Sequence, residues 1–221
     1  ETDALGGKDI YSGSKGAAEL VFKSYFHSFF NKDESNVKVA TTRAGNVVGG
    51  GDWAKDRIVP DCMRAWSNKE IVEIRSPNST RPWQHVLEPL SGYLALGEHL
   101  YTAKTLSGEN FNFGPISKHI HTVEDILNDL SKYWKIKDLT KAYKITDNIK
   151  FHEAGLLKLN CDKALFHLKW LPTLSHEQLI EFTGSWYYNF YNEQMNMLDY
   201  TLNQLDRYEQ IAVDKKIQWA K

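Results

Sequence analysis

Tyr11-Ser12-Gly13-Ser14-Lys15 is the stretch on which the reading of this chain turns. It sets a tyrosine four residues before a lysine at the head of an amphipathic segment. On a helix that spacing puts both side chains on one face. A phenol alone is a poor base at neutral pH, but an ammonium held beside a phenol favours the phenolate, and such a pair can take a proton from an alcohol. The spacing by itself is weak evidence, because exposed helical Tyr/Lys pairs without chemistry are common. Downstream, Ala18, Val21, Phe22, Tyr25, Phe26 and Phe29 recur at helical intervals and predict a helix over about 11–31.

Working outward, Val37 to Thr41 alternates and is β-branched, which predicts a strand. Gly45 to Gly51 reads as a loop, since three consecutive glycines disfavour regular structure. Ile58 to Trp66 reads as a short helix that tolerates Pro60 in its first turn. Ile71 to Ile74 and Phe111 to Phe113 read as strands, and Glu88 to Tyr101 as a helix with an apolar face. Thr122 with Asp125 is the weaker form of a capping box, opening a helix to about Trp134; Ser175 with Gln178 is the full form, opening a helix over His176 to Tyr191. Residues 138–160 read as irregular or strand-like, and the polar last twenty residues as a fringe helix or frayed tail.

At 221 residues the chain can bury a sizeable core in one or two domains. A net charge of -1 argues against a nucleic-acid partner. Cys62 and Cys161 form no C-x-x-C and read as reduced thiols of a cytoplasmic protein. No apolar run is long enough to span a membrane. The histidines, His119 and His121 included, show no metal-ligand spacing, so no metal is expected.

Three longer runs narrow the reading: RAGNVVGGGDWAKDRIVPD from Arg43, RPWQHVLEPLSGYL from Arg81 and FNFGP from Phe111. With the Tyr-Lys helix, the chain from Glu1 to about Tyr208 resembles the extended short-chain dehydrogenase/reductases that act on nucleotide sugars. The wording of the runs resembles the CDP-glucose 4,6-dehydratases among them. The resemblance implies an α/β fold: a partial Rossmann-like parallel sheet over 1–50, and a smaller α/β sugar-nucleotide-binding domain over 51–221 with segments crossing back. It implies NAD as cofactor, CDP-glucose as substrate, a homodimer packed through the Tyr-Lys helix, and a role in deoxysugar synthesis for lipopolysaccharide O-antigen. No G-x-x-G-x-x-G follows a leading strand. In the resembled family that half, and a Thr-Asp-Lys segment serving water elimination, precede the Tyr-Lys helix. The resemblance therefore implies the C-terminal part of a longer enzyme, inactive alone.

The resemblance also carries roles onto matching positions. Tyr11 becomes the base that takes the C4 hydroxyl proton, and Lys15 its partner on the nicotinamide ribose. Arg43 and Ala44 lie near the nicotinamide. Asn46, Arg57, Arg81 and Asn112 face the substrate diphosphate; arginine suits that task because its planar, permanently charged fork grips phosphate in two places. His85 stands in the same motif as Arg81, as a contact or a core support. Arg75 is assigned to the nucleobase side, and His152 and Glu153 to the nucleotide site. Two other readings stay open: another NAD-dependent nucleotide-sugar epimerase or dehydratase, and a non-catalytic sugar-nucleotide-binding or dimerisation fragment.

Overall fold

The computed structural model describes residues 4–7, 9–32, 35–116, 121–146, 158–193 and 195–221. Its regular elements, in chain order, are α1 (Ile10–Tyr25), β1 (Thr41–Ala44), β2 (Asn46–Val48), α2 (Ile58–Ser67), β3 (Val72–Ile74), β4 (Thr80–Arg81), β5 (Trp83–His85), α3 (Leu87–Thr102), β6 (Asn110–Phe113), β7 (His121–Thr122), α4 (Val123–Ser131), β8 (Tyr143–Ile145), α5 (Asp162–Leu168), α6 (His176–Asn192) and α7 (Met197–Asp214). The strands join in pairs: β1 with β6, β2 with β5 and β3 with β8 are parallel, and β4 with β7 is antiparallel.

The Tyr-Lys helix starts at Asp9, whose carboxylate accepts the Ser12 hydroxyl at 2.6 Å and the Ser12 N–H at 2.9 Å; those bonds hold it below the usual carboxylate range. α1 then runs into a π-helical turn over Phe26–Phe30. Two contacts tie it to the body. Arg43 of β1 grips both carboxylate oxygens of Glu19 at 2.5 Å. The Phe26 ring covers Gly108, where a Cβ would lie 2.4 Å from it and where φ is +89°. The predicted apolar stripe therefore splits. Phe22 and Phe26 turn inward and are half-buried, while Ala18, Val21, Tyr25 and Phe29 are exposed.

The strand expected at 37–41 lies instead at Thr41–Ala44, because the ladder begins where its partner does, with Thr41 opposite Asn110. The expected loop over 45–51 also needs correction. Gly45 marks a close crossing, since a Cβ there would meet the Pro82 carbonyl oxygen at 2.3 Å. Beyond it Asn46–Val48 pairs with Trp83–His85, so one stretch of chain changes neighbours from β6 to β5. Only Gly49 to Gly51 turns. That pairing joins residues far apart in sequence and has no local signature.

Both capping boxes form as read. Thr122 and Asp125 exchange bonds of 2.8 and 3.1 Å at α4, and Ser175 and Gln178 exchange bonds of 2.9 and 3.3 Å at α6. The C-terminal segment is a docked helix rather than a frayed tail. Tyr208 and Ala212 of α7 are buried, and the Tyr208 hydroxyl lies 3.2 Å from Glu88 and 3.1 Å from Ser91. α5 was not foreseen; seven residues are too few for a helical period to declare itself.

Two apolar cores result. One joins Phe111 and Phe113 of β6 to Leu96 of α3, Ala164 and Leu168 of α5, and Trp170. The other joins Met63 and Trp66 of α2, Val72 and Ile74 of β3, Ile126 and Leu130 of α4, and Leu179 and Tyr187 of α6. The Gln84 side chain bridges them, its amide donating to the Phe113 carbonyl at 2.9 Å. Among the described residues, no helix is long and apolar enough to cross a membrane.

Candidate active-site cleft

Where β1 passes into β2, a cleft of about 730 Å³ opens. Its walls come from the ends of parallel strands, the place where α/β sheets present ligand-contacting residues. Tyr11, Ala44, Asn46, Arg57, Arg75 and Arg81 all line it, although they lie up to seventy residues apart in sequence. Tyr11 is 71 % exposed at one edge, and the Lys15 ammonium stands 5.4 Å from the centre of its ring. α2 points its N-terminus at the cleft, with Ile58, Val59 and Asp61 in the wall. An N-terminus without a side-chain cap favours an anion there.

The charges of the cleft are mixed. Against Arg57, Arg75 and Arg81 stand Asp52, Asp56, Asp61 and Glu73, none of them singled out in the sequence reading. The Asp52 carboxylate accepts from Arg57 at 2.8 Å. Burial raises Asp61 above the usual range, with Arg64 opposing the shift. Glu73 is held down by its bond to Lys144 across β3 and β8. Trp83, which follows Arg81 in the same run, lines this cleft and also a second cavity of about 270 Å³.

Other expected site residues lie elsewhere. His85 is 3 % exposed on the wall of the second cavity; the Leu87 N–H approaches its Nδ1 at 3.4 Å, and burial pushes its pKa down to about 4. Asn112 is 5 % exposed and donates to the Asn160 carbonyl at 3.0 Å. The Arg43 guanidinium is engaged by Glu19, while its neighbour Ala44 faces the cleft. His152 and Glu153 lie outside the described residues. Among the described residues, no cluster of three or more His, Cys, Asp or Glu is placed to hold a metal ion.

No family model matches the chain. The fold is the Rossmann-like one of sugar-nucleotide dehydratases and epimerases. It superposes on dTDP-glucose 4,6-dehydratase from Bacillus anthracis in complex with NAD with a TM-score of 0.69 at 18 % identity, covering 88 % of this chain and 56 % of that one. On UDP-glucuronic acid 4-epimerase from Bacillus cereus, in complex with UDP-glucuronic acid and NAD, the TM-score is 0.68 at 18 % identity, covering 86 % and 58 %. In sequence the chain is a relative of CDP-glucose 4,6-dehydratase from Salmonella typhimurium, 46 % identical over 175 residues, which bears out the resemblance carried by the motifs. Those residues are 78 % of this chain and 48 % of that enzyme, so the chain spans about half the length of the curated relative it matches.

Proposed function

We propose that this chain carries the substrate cleft and the Tyr-Lys pair of an NAD-dependent CDP-glucose 4,6-dehydratase, which converts CDP-glucose to CDP-4-dehydro-6-deoxyglucose and water. The observation that carries this reading is the convergence of Tyr11, Ala44, Asn46, Arg57, Arg75 and Arg81 on one cleft. The residues fit a nicotinamide. Ala44 and Gly45 leave a floor of small side chains at the end of β1, with the exposed Tyr11 ring at its edge. When bound, NAD supplies the acceptor for the hydride leaving C4 and the donor of the hydride returning to C6. Tyr11 takes the C4 hydroxyl proton as general base, with the Lys15 ammonium 5.4 Å from the centre of its ring. Arg57 and Arg81, with the α2 N-terminus, hold the diphosphate, Asn46 contacts it, and Arg75 faces the nucleoside. The buried positions of His85 and Asn112 support a role in shaping the walls behind the cleft.

A division near residue 50 with segments crossing back belongs to the same proposal, since Ala40 packs against a core built by Leu96, Phe111, Phe113 and Trp170 from far along the chain. The exposed face of α1 and of the π-helical turn after it, with Val21, Tyr25 and Phe29, supports a homodimer through this segment. A cytoplasmic setting and a part in O-antigen synthesis belong to the same proposal.

Calorimetric titration with CDP-glucose, UDP-glucose and dTDP-glucose tests the reading. CDP-selective binding, weakened by Arg57→Ala and by Arg81→Ala, is the expected result. Equal affinity for all three would point to another nucleotide-sugar enzyme, and absence of binding would overturn the assignment of the cleft.

A further inference from the structure

The geometry points to Tyr187 and Asp52 as positioning residues that hold Arg57 over the cleft. The inference rests on the reading of Arg57 as a grip for the diphosphate.

Arg57 occupies the N-cap of α2 with an extended backbone, φ -112° and ψ 124°, so the helix does not set the direction of its side chain. That side chain is 64 % exposed. Left alone it would sample many rotamers, and binding a phosphate would require ordering it. Asp52 removes that freedom. Its Oδ2 accepts from Arg57 Nη1 at 2.8 Å, and its Oδ1 accepts the Ala54 N–H at 3.0 Å, which fixes the carboxylate plane. A guanidinium carries five donors, so one bond to Asp52 leaves others for phosphate oxygens.

Asp52 is held in turn by Tyr187 of α6, which is fully buried. Its hydroxyl donates to the Asp52 carbonyl at 2.7 Å and accepts the Asp52 N–H at 3.1 Å. One phenol thus satisfies both backbone polar groups of a residue 135 positions away. Burial raises the Tyr187 phenol well above its usual range and keeps the O–H as donor. The surrounding contacts prevent the loop from drifting. Trp53 meets the Tyr187 ring edge-on at 5.5 Å and Phe190 at 4.8 Å, and Gly50 lies flat against Trp186. The aromatic face of α6 is therefore a mould for residues 50–53, and its shape reaches the cleft through Asp52 and Arg57.

The test compares wild type, Tyr187→Phe, Asp52→Asn, Arg57→Ala and the Tyr187→Phe/Arg57→Ala double variant by calorimetry with CDP and with cytidine, which has no phosphate. The Arg57 Nε–H signal is followed by NMR without ligand. Tyr187→Phe keeps the ring and removes only the hydroxyl. We expect it to weaken CDP binding about tenfold, the scale of one lost hydrogen bond. Cytidine binding should not change, and the double variant should bind CDP no more weakly than Arg57→Ala alone. Additive losses, or wild-type affinity in Tyr187→Phe, would overturn the relay. If wild type binds no CDP, the functional reading fails, and the NMR arm decides the relay separately. A resolved Arg57 signal that averages out in Tyr187→Phe supports it, and an unchanged signal refutes it.

Discussion

Gly50→Ala adds one methyl group where the structure leaves no room for it. The new Cβ would stand 2.1 Å from Trp186 Cδ2 and Cγ and 2.6 Å from Cδ1, so the loop and the indole must part by roughly an ångström or more to reach ordinary contact. The indole cannot yield freely. Its N–H donates to Thr201 at 2.8 Å, it stacks on Phe190 at 5.7 Å and 9°, and it is 8 % exposed. Overpacking of this kind costs about 1–3 kcal/mol, and loss of the indole hydrogen bond adds about 1 kcal/mol. The expected loss is about 2–4 kcal/mol, which for a chain of this size lowers Tm by about 4–16 °C. Gly97→Ala serves as the control. It lies inside α3 with nothing within 4 Å of its added Cβ, so it should stabilise by about 0.5–1 kcal/mol through helix propensity and a less flexible unfolded chain. Thermal melts of both variants with wild type make the assay. A Gly50→Ala protein melting within about 2 °C of wild type would refute the steric argument, since at this size it would mean a cost below about 1 kcal/mol.

Other substitutions probe separate features. Glu88 is 2 % exposed, and burial raises its pKa to about 7 against the N–H groups of Thr173 and Leu174. The fold therefore favours the protonated acid: that stabilisation is full below about 4.5, the value for the exposed group, and is lost as pH rises through about 7. Urea melts between pH 4.5 and 7 should show a flatter pH dependence for Glu88→Gln than for wild type; parallel curves would contradict the shift. Ser175→Ala removes the cap of α6 and should cost about 1 kcal/mol, or about 2–4 °C in Tm, with no change in nucleotide binding by titration. Val21→Glu places a charge on the exposed apolar face of α1; light scattering should show a dimer for wild type and a monomer for the variant, and a monomeric wild type would remove the case for that interface.

Much of this protein could be read along the chain because the signals were local. Capping residues three apart, apolar spacing and the runs around Arg43, Arg57 and Arg81 each act within a few turns of backbone. They placed α2, α3, α4 and α6, the strands β3 and β6, and the residues that meet in the cleft. The resemblance carried by those runs also anticipated the relatives. The boundaries that failed belong to strands. β1 and β2 are bounded by distant partners, β6 and β5, and a strand has no partner until the chain has folded.

Tertiary structure alone decided the rest. The four carboxylates in the cleft, the burial of His85 and Asn112, and the double place of Trp83 between two cavities follow from how helices lie on strands. So does the hold of Tyr187 on Asp52, which no spacing rule could suggest across 135 residues. Sequence determined which groups were available and which segments were helical, since propensity, capping and periodicity act over one or two turns. Which of those groups face one another was settled only by packing, because close-packed cores accept few arrangements and each contact depends on all the others.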